Sequence, residues 1–280
     1  MDDEALVSMM GQQKLKGLFD FFQDLMKTKK PATRDQIEMR MPLVSTVKPH
    51  DLMNNKIKQK YAIFQRLTQS QKLSQAREAS KKERNSKELN YNSFVYGEIS
   101  FPSFAHIFTL IKEQYGGLQN EGGIFYDLGS GVGKGVLAAS LLHQFDRCTG
   151  IELLESLHNM GLQLKNSILE QSEQIVQEVI EIDKYDGFCL PEINFVKDDF
   201  LTYDWSDATL VFAASTCYEP FLMQKLFERS KLLKRGSFFI TLTKKLPQSD
   251  DWQLLISVNH KMSWGETTVH IYRKSKDAMS

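Results

Sequence analysis

The sequence predicts a Rossmann-like α/β fold, in which a doubly wound, seven-stranded sheet follows an N-terminal helical extension. From Tyr91 onward, short apolar runs alternate with stretches whose apolar residues recur at helical spacing, as in sheets covered by helices on both faces. A glycine-rich turn follows the first apolar run, and the acidic residue Glu152 ends the second. The last two predicted strands have no helix between them, so we expect an antiparallel hairpin at the sheet edge.

Strands and helices are predicted in alternation over a domain that spans residues 91–275. The predicted strands are 124–127, 149–152, 193–196, 209–214, 238–243, 253–258 and 267–272. The predicted helices are 101–115, 135–145, 155 to about 185, and 219–233.

The N-terminal extension, residues 1–90, is predicted from different signals. Apolar residues at helical spacing predict an amphipathic helix over residues 5–26, which Pro31 ends and whose apolar face would pack on the main domain or on a partner. Residues 31–55 carry three prolines and little periodicity, which indicates a connecting segment. A helix is indicated around Leu67, and residues 70–90 are polar enough to be mobile.

Composition excludes several classes of protein. The hydrophobic content of 41% is ample for a globular core, and no apolar run approaches the roughly 20 residues of a membrane span. The acidic N-terminus, Met1 to Glu4, is unlike a secretory signal, so we expect a soluble protein of the nucleus or cytoplasm. Cys148, Cys189 and Cys217 suit neither a disulfide framework nor a zinc site and predict reduced, buried thiols. The histidines show no metal-ligand spacing, and no metal site is expected.

The formal net charge of zero hides an uneven distribution of charge. Residues 56–88 contain ten Lys or Arg and three acids, whereas residues 152–207 contain thirteen acids and three lysines. The basic window could contact the phosphates of a nucleic acid. It could equally be a solvated helix or a linker, so nucleic acid is one candidate partner beside a protein substrate.

The turn after the first strand has the spacing of a nucleoside-binding site. Its glycines are Gly129, Gly131, Gly133 and Gly135. Without Cβ atoms they let the backbone approach a ligand closely. Glu152 lies 25 residues after Asp127, at the end of the next strand, where its carboxylate can accept hydrogen bonds from both hydroxyls of a ribose.

The same turn matches neither of the common phosphate-binding patterns. A dinucleotide site needs a third glycine where Lys134 or Val136 stands, and a phosphate loop needs Ser or Thr where Gly135 stands. Asp127, which opens the turn, would repel a phosphate and attract an ammonium group, such as the amino-acid end of S-adenosylmethionine. The sequence therefore predicts S-adenosylmethionine as the cofactor, with a ligand-free structural turn as the alternative.

The ends of the third and fourth strands carry further candidates. Asp199 offers a carboxylate to the adenine amine and Phe200 an aromatic face, although the two could also be a capping residue and a core aromatic. Small residues at 213–217 leave room for a methyl acceptor, which the hydroxyl of Ser215 or Tyr218 could orient. Cys217 is read as a structural thiol because no histidine is tied to it by sequence.

A family resemblance rests on several of these residues together. The run Tyr96-Gly-Glu-Ile-Ser-Phe101, followed by Asp127-Leu-Gly-Ser-Gly-Val-Gly133, resembles the non-SET histone lysine methyltransferases, the disruptor-of-telomeric-silencing family. The similarity continues through Gly150-Ile-Glu152, Asp199-Phe200-Leu201 and Ser263-Trp264-Gly265, and covers about residues 90–275. It implies the class I methyltransferase fold, S-adenosylmethionine as cofactor, and a protein substrate such as a histone or a nucleosome.

The resemblance also implies roles for particular residues. Tyr96 to Ile99 would form a loop that closes over the methionine end of the cofactor, and Trp264 would border a lysine channel. The candidate catalytic residues are Tyr96, Ser215, Tyr218 and Trp264. The candidate cofactor-binding residues are Tyr96, Gly97, Glu98, Ile99, Asp127, Gly129, Ser130, Gly131, Gly133, Lys134, Glu152, Asp199, Phe200 and Ser215.

The chain departs from the family pattern at two places. The family has Asn-Asn-Phe where Ala214, Ser215 and Thr216 stand, and a glutamine where Lys134 stands. Lys134 could pair with the carboxylate of the methionine. The expected function is methyl transfer to a protein side chain, foremost a lysine amine. The alternatives are a cofactor-binding scaffold without turnover, and methylation of a non-histone or nucleic acid acceptor.

Overall fold

The computed structural model describes residues 53–87 and 96–277 of the chain. The helices in these ranges are α1 (Asn55–Thr68), α2 (Leu73–Ser86), α3 (Phe101–Glu113), α4 (Lys134–Leu142), α5 (Glu155–Glu170), α6 (Ser172–Asp183) and α7 (Pro220–Ser230). The strands are β1 (Ile124–Leu128), β2 (Arg147–Glu152), β3 (Glu192–Lys197), β4 (Leu210–Ala213), β5 (Phe238–Leu242), β6 (Trp252–Met262) and β7 (Gly265–Lys274). The helix predicted over residues 5–26, and the connecting segment as far as residue 52, lie outside the described residues.

The strands form a sheet in the order β3-β2-β1-β4-β5-β7-β6. β1 to β5 run parallel, and β7 pairs antiparallel with both β5 and β6. The predicted seven-stranded Rossmann-like fold and its edge hairpin are therefore confirmed. The strand order reverses between β1 and β4, and open α/β sheets bind ligands at such a point, beyond the carboxyl ends of the strands.

Helices cover both faces of the sheet, which explains why the neighbouring strands β4 and β5 are buried along their whole length. Phe125 of β1 belongs to a core that includes residues of α1, α3 and α4. The next residue, Tyr126, belongs to a second core with Trp205 and with Phe227 of α7. Successive side chains of a strand point to opposite faces, so a single run of buried residues serves both cores.

Two helices, α5 and α6, occupy the range predicted as a single helix from residue 155 to about 185. Gln171 interrupts the range with a ψ angle of 13°. Its side-chain oxygen accepts a hydrogen bond of 3.1 Å from Arg66 of α1. No proline or glycine marks the break, so periodicity alone could not locate it.

The prediction of a mobile segment over residues 70–90 was wrong for residues 73–86, which form α2. Small buried residues, Ala76 and Ser80, let this helix approach the main domain closely. The Glu83 carboxylate accepts hydrogen bonds from the backbone amides of Glu155 and Ser156, at 2.9 and 2.7 Å, and so caps the N-terminus of α5. The polar composition reflects a helix with one packed face and a wide solvated face.

The cysteines differ in exposure. Cys148 is buried, Cys217 is half-buried, and Cys189 is exposed, so the expectation of buried thiols is confirmed for Cys148 alone. Among the helices of the described ranges, none is long and apolar enough to cross a membrane. Within the same ranges, no group of three or more His, Cys, Asp or Glu side chains is placed to hold a metal ion.

Candidate active site

A cavity of about 660 Å³ opens at the carboxyl ends of β1 to β4. Its inner wall is made by residues that follow these strands, namely Gly129, Glu152, Leu154, Asp199, Phe200 and Tyr218. Its outer wall is made by Tyr96, Gly97, Trp264 and three residues of α2, namely Arg77, Lys81 and Arg84. The remaining side of the cavity carries Ala214, Thr216, Cys217, Phe221 and Leu222. Half of the residues predicted from the sequence therefore line one cavity. Asp127, Gly131, Gly133 and Glu98 are among the predicted residues that do not line it.

The glycine-rich turn has the backbone shape that its sequence predicts. Gly129, Gly131 and Gly133 have φ angles of 81°, 55° and 88°, in the left-handed region that favours glycine. At Gly131 a Cβ atom would also collide with the ring of Tyr96. The Gly131 amide donates a 2.7 Å hydrogen bond to a carboxylate oxygen of Glu152. Glycine is required at residue 131 for both conformation and space.

Two buried carboxylates lie beneath the turn. Glu152 accepts hydrogen bonds from the amides of Gly131 and Leu154, at 2.7 and 2.8 Å, one on each oxygen. Burial raises the pKa of Glu152 to about 7, although these backbone hydrogen bonds oppose the shift. Burial and then the charge of Glu152 raise the pKa of Asp127 to about 8. Among the described residues, none donates a hydrogen bond to the Asp127 carboxylate. The pair would be stabilised by a positively charged ligand.

The residues after β3 and β4 form an aromatic corner of the cavity. The rings of Phe200 and Tyr218 stack with centroids 5.9 Å apart and an interplanar angle of 18°. The Tyr218 hydroxyl donates a 3.0 Å hydrogen bond to the carbonyl of Leu128, and burial raises the pKa of Tyr218 far above its usual value. Asp199 accepts a 2.8 Å hydrogen bond from the amide of Leu201. Its neighbour Asp198 is exposed and does not line the cavity.

The loop 96–99 and the β6–β7 turn form one continuous part of the outer wall. The Trp264 ring lies so close to Gly97 that a Cβ atom there would overlap it. The Glu98 amide donates to the Ser263 hydroxyl at 3.1 Å, and the Trp264 indole donates to Thr267 at 2.9 Å. Trp264 is half-buried and lines the cavity.

Several predicted residues lie outside the cavity wall. The Ser215 hydroxyl donates to the carbonyl of Leu242 at 2.8 Å and accepts from its amide at 3.1 Å, which ties the end of β4 to β5. The Ser215 side chain is fully buried, and its one proton is already donated, so it has none to donate to a ligand while this bond holds. The Ser130 hydroxyl is buried without a partner in the described part of the chain, and Ile99 packs against the core. Lys134 is paired with Glu98, at 2.8 Å, behind the wall.

The α2 residues of the outer wall are functional candidates that the sequence interpretation missed. Arg77, Lys81 and Arg84 stand at i, i+4 and i+7, a spacing that puts them on one face of a helix. A prediction of α2 as a helix would have exposed this pattern. Within the described ranges, the buried Nε of Arg84 has no hydrogen-bond partner.

Comparisons with known proteins place this geometry in a family. Residues 80–264 match the family described as histone methylation protein DOT1, which is well over half of the 280-residue chain. The chain belongs to the DOT1 family. S-adenosylmethionine is accordingly its cofactor and methyl transfer its chemistry. No curated protein shows a significant match to the chain.

Solved structures with a similar course of the chain include several methyltransferases. An RNA methyltransferase from Salinibacter ruber, in complex with S-adenosyl-L-homocysteine, is 20% identical, with 64% of this chain and 94% of that chain covered and a TM-score of 0.38. TrmN from Thermus thermophilus is 14% identical, with 69% and 53% covered and a TM-score of 0.44.

The residues in and next to the cavity suit a nucleoside that carries a sulfonium group, independently of the family match. S-adenosylmethionine carries a net positive charge, and the buried carboxylates Glu152 and Asp127, whose pKa values are raised by burial, would be stabilised in their charged form by such a ligand. The charge of these carboxylates therefore agrees with the cofactor that the family assignment gives.

Proposed function

We propose that this DOT1-family protein transfers a methyl group from S-adenosylmethionine to the side-chain amine of a lysine in a protein substrate. The observation that carries the proposal is the continuity of the cavity, which joins Glu152 on the inner wall to Trp264 and Thr216 on the other sides. A bound cofactor and an acceptor side chain could therefore meet in one partly enclosed space, which supplies the alignment that a displacement reaction needs.

The inner wall, together with the buried Asp127 next to Glu152, would hold the cofactor. Asp127 would pair with the ammonium group, because no residue of the described ranges already satisfies it. Glu152 would accept the ribose hydroxyls, since each of its oxygens receives one backbone hydrogen bond and keeps a second acceptor site. Asp199 would accept from the adenine amine, and the half-buried ring of Phe200 would cover the adenine.

The outer wall would guide the acceptor. The indole N–H of Trp264 is already bonded to Thr267, so the ring presents only its carbon surface to the cavity. An aromatic face attracts an approaching ammonium group by about 0.5–1 kcal/mol. The absence of a side chain at Gly97 makes room for the Trp264 ring itself, and the small Thr216, which lines the same cavity, leaves space for an extended side chain.

The attacking lysine amine must be uncharged. A basic side chain of the protein is not required if the amine loses its proton to water. S-adenosylmethionine supplies an electrophilic methyl group, whose bond to sulfur breaks as the bond to the amine nitrogen forms. Tyr218 does not suit the role of base, because its proton is held on the Leu128 carbonyl and its pKa is raised by burial. We propose that the apolar wall favours the uncharged lysine, which loses its proton to water before the attack.

A histone within a nucleosome is the acceptor that the family description suggests, and such an enzyme would work in the nucleus. Ala214 and Thr216 stand where the family has larger residues, and both line the cavity. The acceptor side is therefore more open, which would allow a lysine in a different local sequence. A non-histone protein is the alternative acceptor.

A nucleic acid contact has one specific observation in its favour, which concerns α2 and not α1. Lys60 and Arg66 of α1 are paired with Asp183 and Glu178 of α6, at 2.7 and 2.8 Å. Arg77, Lys81 and Arg84 of α2 have no ion pair within the described ranges and stand at the cavity mouth. We propose that this α2 face holds a phosphate backbone beside the acceptor.

The test is transfer of a labelled methyl group with nucleosomes, free histones and whole-cell protein offered in parallel, followed by mass spectrometry to locate the label. We expect label on lysine. Asp199→Asn should weaken cofactor use, whereas the neighbouring exposed Asp198→Asn should not, because only Asp199 lines the cavity. Cofactor binding without transfer to any acceptor would favour a scaffold, and label confined to nucleic acid would contradict the proposal.

A further inference from the structure

Lys134, at the start of α4, is held in an ion pair behind the wall of the cavity. Its ammonium lies 2.8 Å from Glu98, and both side chains are only 13% exposed. It also donates a 3.0 Å hydrogen bond to the carbonyl of Gln71, which lies between α1 and α2. None of these three residues lines the cavity. The arrangement joins the N-terminal extension, the loop 96–99 and the glycine-rich turn at one point.

The other oxygen of Glu98 completes the connection to the cavity. It accepts a 2.9 Å hydrogen bond from the Tyr96 hydroxyl, while Lys134 occupies the first oxygen. The Tyr96 ring in turn covers Gly131, where a Cβ atom would collide with it. The position of the ring over the turn is thus determined by a carboxylate that does not line the cavity.

The side chain of Gln71 makes two further hydrogen bonds. Its amide nitrogen donates to the carbonyls of Val132, at 3.3 Å, and Met160, at 2.9 Å. The residue therefore contacts the glycine-rich turn directly and the loop 96–99 through Lys134. A buried charge that is surrounded by such partners holds one geometry, because every alternative leaves a charge unpaired.

We infer that Lys134, Glu98 and Gln71 form a latch that holds the loop 96–99 closed over the glycine-rich turn, so that the segment joining α1 to α2 controls how tightly the cofactor is held. These are positioning residues, and the inference rests on the proposed placement of the cofactor in the cavity. It replaces the expectation that Lys134 meets the methionine carboxylate. The two ideas make different predictions for Glu98.

The experiment is a double-mutant cycle on cofactor affinity, with S-adenosylhomocysteine as the ligand in titration calorimetry. Lys134→Met and Glu98→Gln should each weaken binding about tenfold, and the double variant should lose little more than either single one. Gln71→Ala should give a smaller loss of the same sign. In activity assays, KM for S-adenosylmethionine should rise while kcat at saturating cofactor stays near that of the wild type.

A direct contact with the ligand gives a different outcome. Lys134→Met alone would then weaken binding, Glu98→Gln would not, and the effects would add, which would overturn the latch. The matched control is Arg66→Met, which breaks the α1–α6 ion pair with Glu178 outside the cavity and should leave affinity unchanged. If wild-type protein fails to bind S-adenosylhomocysteine, the cofactor placement itself fails. If it binds and both variants bind equally well, only the latch fails.

Discussion

The two walls of the cavity are built in opposite ways. The inner wall is formed at the ends of parallel strands by residues such as Gly129 and Glu152, and Asp127, which is only 3% exposed, lies buried next to Glu152. The outer wall consists of a helix and two loops, and its charged side chains Arg77 and Lys81 are exposed. On the inner side, the charge of a ligand would therefore be met by side chains that the strands of the sheet hold in place. Access is controlled by elements that depend on partners elsewhere in the chain.

The largest expected effect comes from filling the inner wall. Gly131→Arg should reduce affinity for S-adenosylhomocysteine by about 100-fold or more, because φ is left-handed there and the Tyr96 ring leaves no room for a side chain. Calorimetry measures this. Gly236→Arg is the matched control, since Gly236 also has a positive φ, of 89°, but nothing lies within 4 Å of its Cβ position. Equal binding by the two variants would contradict the placement of the ligand.

Removal of an inner-wall carboxylate should have the next largest effect. Glu152→Ala should weaken cofactor binding by about 1–3 kcal/mol, because the ligand then lacks its charge-assisted hydrogen bonds to this side chain. The same change frees the amides of Gly131 and Leu154, so Glu152→Gln, which keeps the shape, separates the two effects. An unchanged dissociation constant in Glu152→Ala would remove this residue from the site.

The pH dependence of cofactor affinity should show whether these buried carboxylates bind the ligand. Protonated carboxyls do not attract an ammonium group, and the pKa values are about 8 for Asp127 and about 7 for Glu152. Affinity should therefore rise by up to about 100-fold between about pH 6 and about pH 9, with proton release on binding. Calorimetry in buffers of different ionisation enthalpy counts those protons. A pH profile that stays equally steep in Asp127→Asn would contradict this assignment.

The stability of the ligand-free protein should fall as pH rises, whereas the affinity for the cofactor should increase. A carboxyl whose pKa is raised on folding stabilises the fold at low pH, and this contribution is lost as pH rises through the folded-state pKa. For Asp127 that loss extends from its usual pKa, 3.8, to about 8. The increase in melting temperature caused by S-adenosylhomocysteine should accordingly grow with pH.

The smallest expected effect concerns the outer wall. Arg77→Glu with Lys81→Glu should lower the log-log salt slope of nucleic acid binding by about 2, because two fewer phosphates are neutralised by the protein. Affinity for S-adenosylhomocysteine should stay the same. Lys58→Glu, an exposed change on α1, is the control. If Lys58→Glu lowers the slope as much, binding depends on the overall charge of the extension and not on the α2 face.

The strands and the glycine-rich turn were predictable because their signals are local. A buried parallel strand is a short apolar run, and a left-handed turn needs glycine, whatever surrounds them. Asp127 and Glu152 could be placed together since each ends one of two adjacent strands. The alternation of strands and helices then indicated the fold.

The hydrogen-bond partners of other predicted site residues could be found only from the packing of the folded chain. Lys134 pairs with Glu98 and Gln71, 36 and 63 residues away in the chain, and Ser215 bonds with Leu242, 27 residues away. The sequence around Lys134 or Ser215 gives no indication of these partners. A nucleoside site at the strand ends could be predicted from the amino-acid sequence, because the backbone conformation of the glycine-rich turn follows from nearby residues. Which polar groups face the ligand and which hold the wall depends on contacts that form only when distant segments pack together.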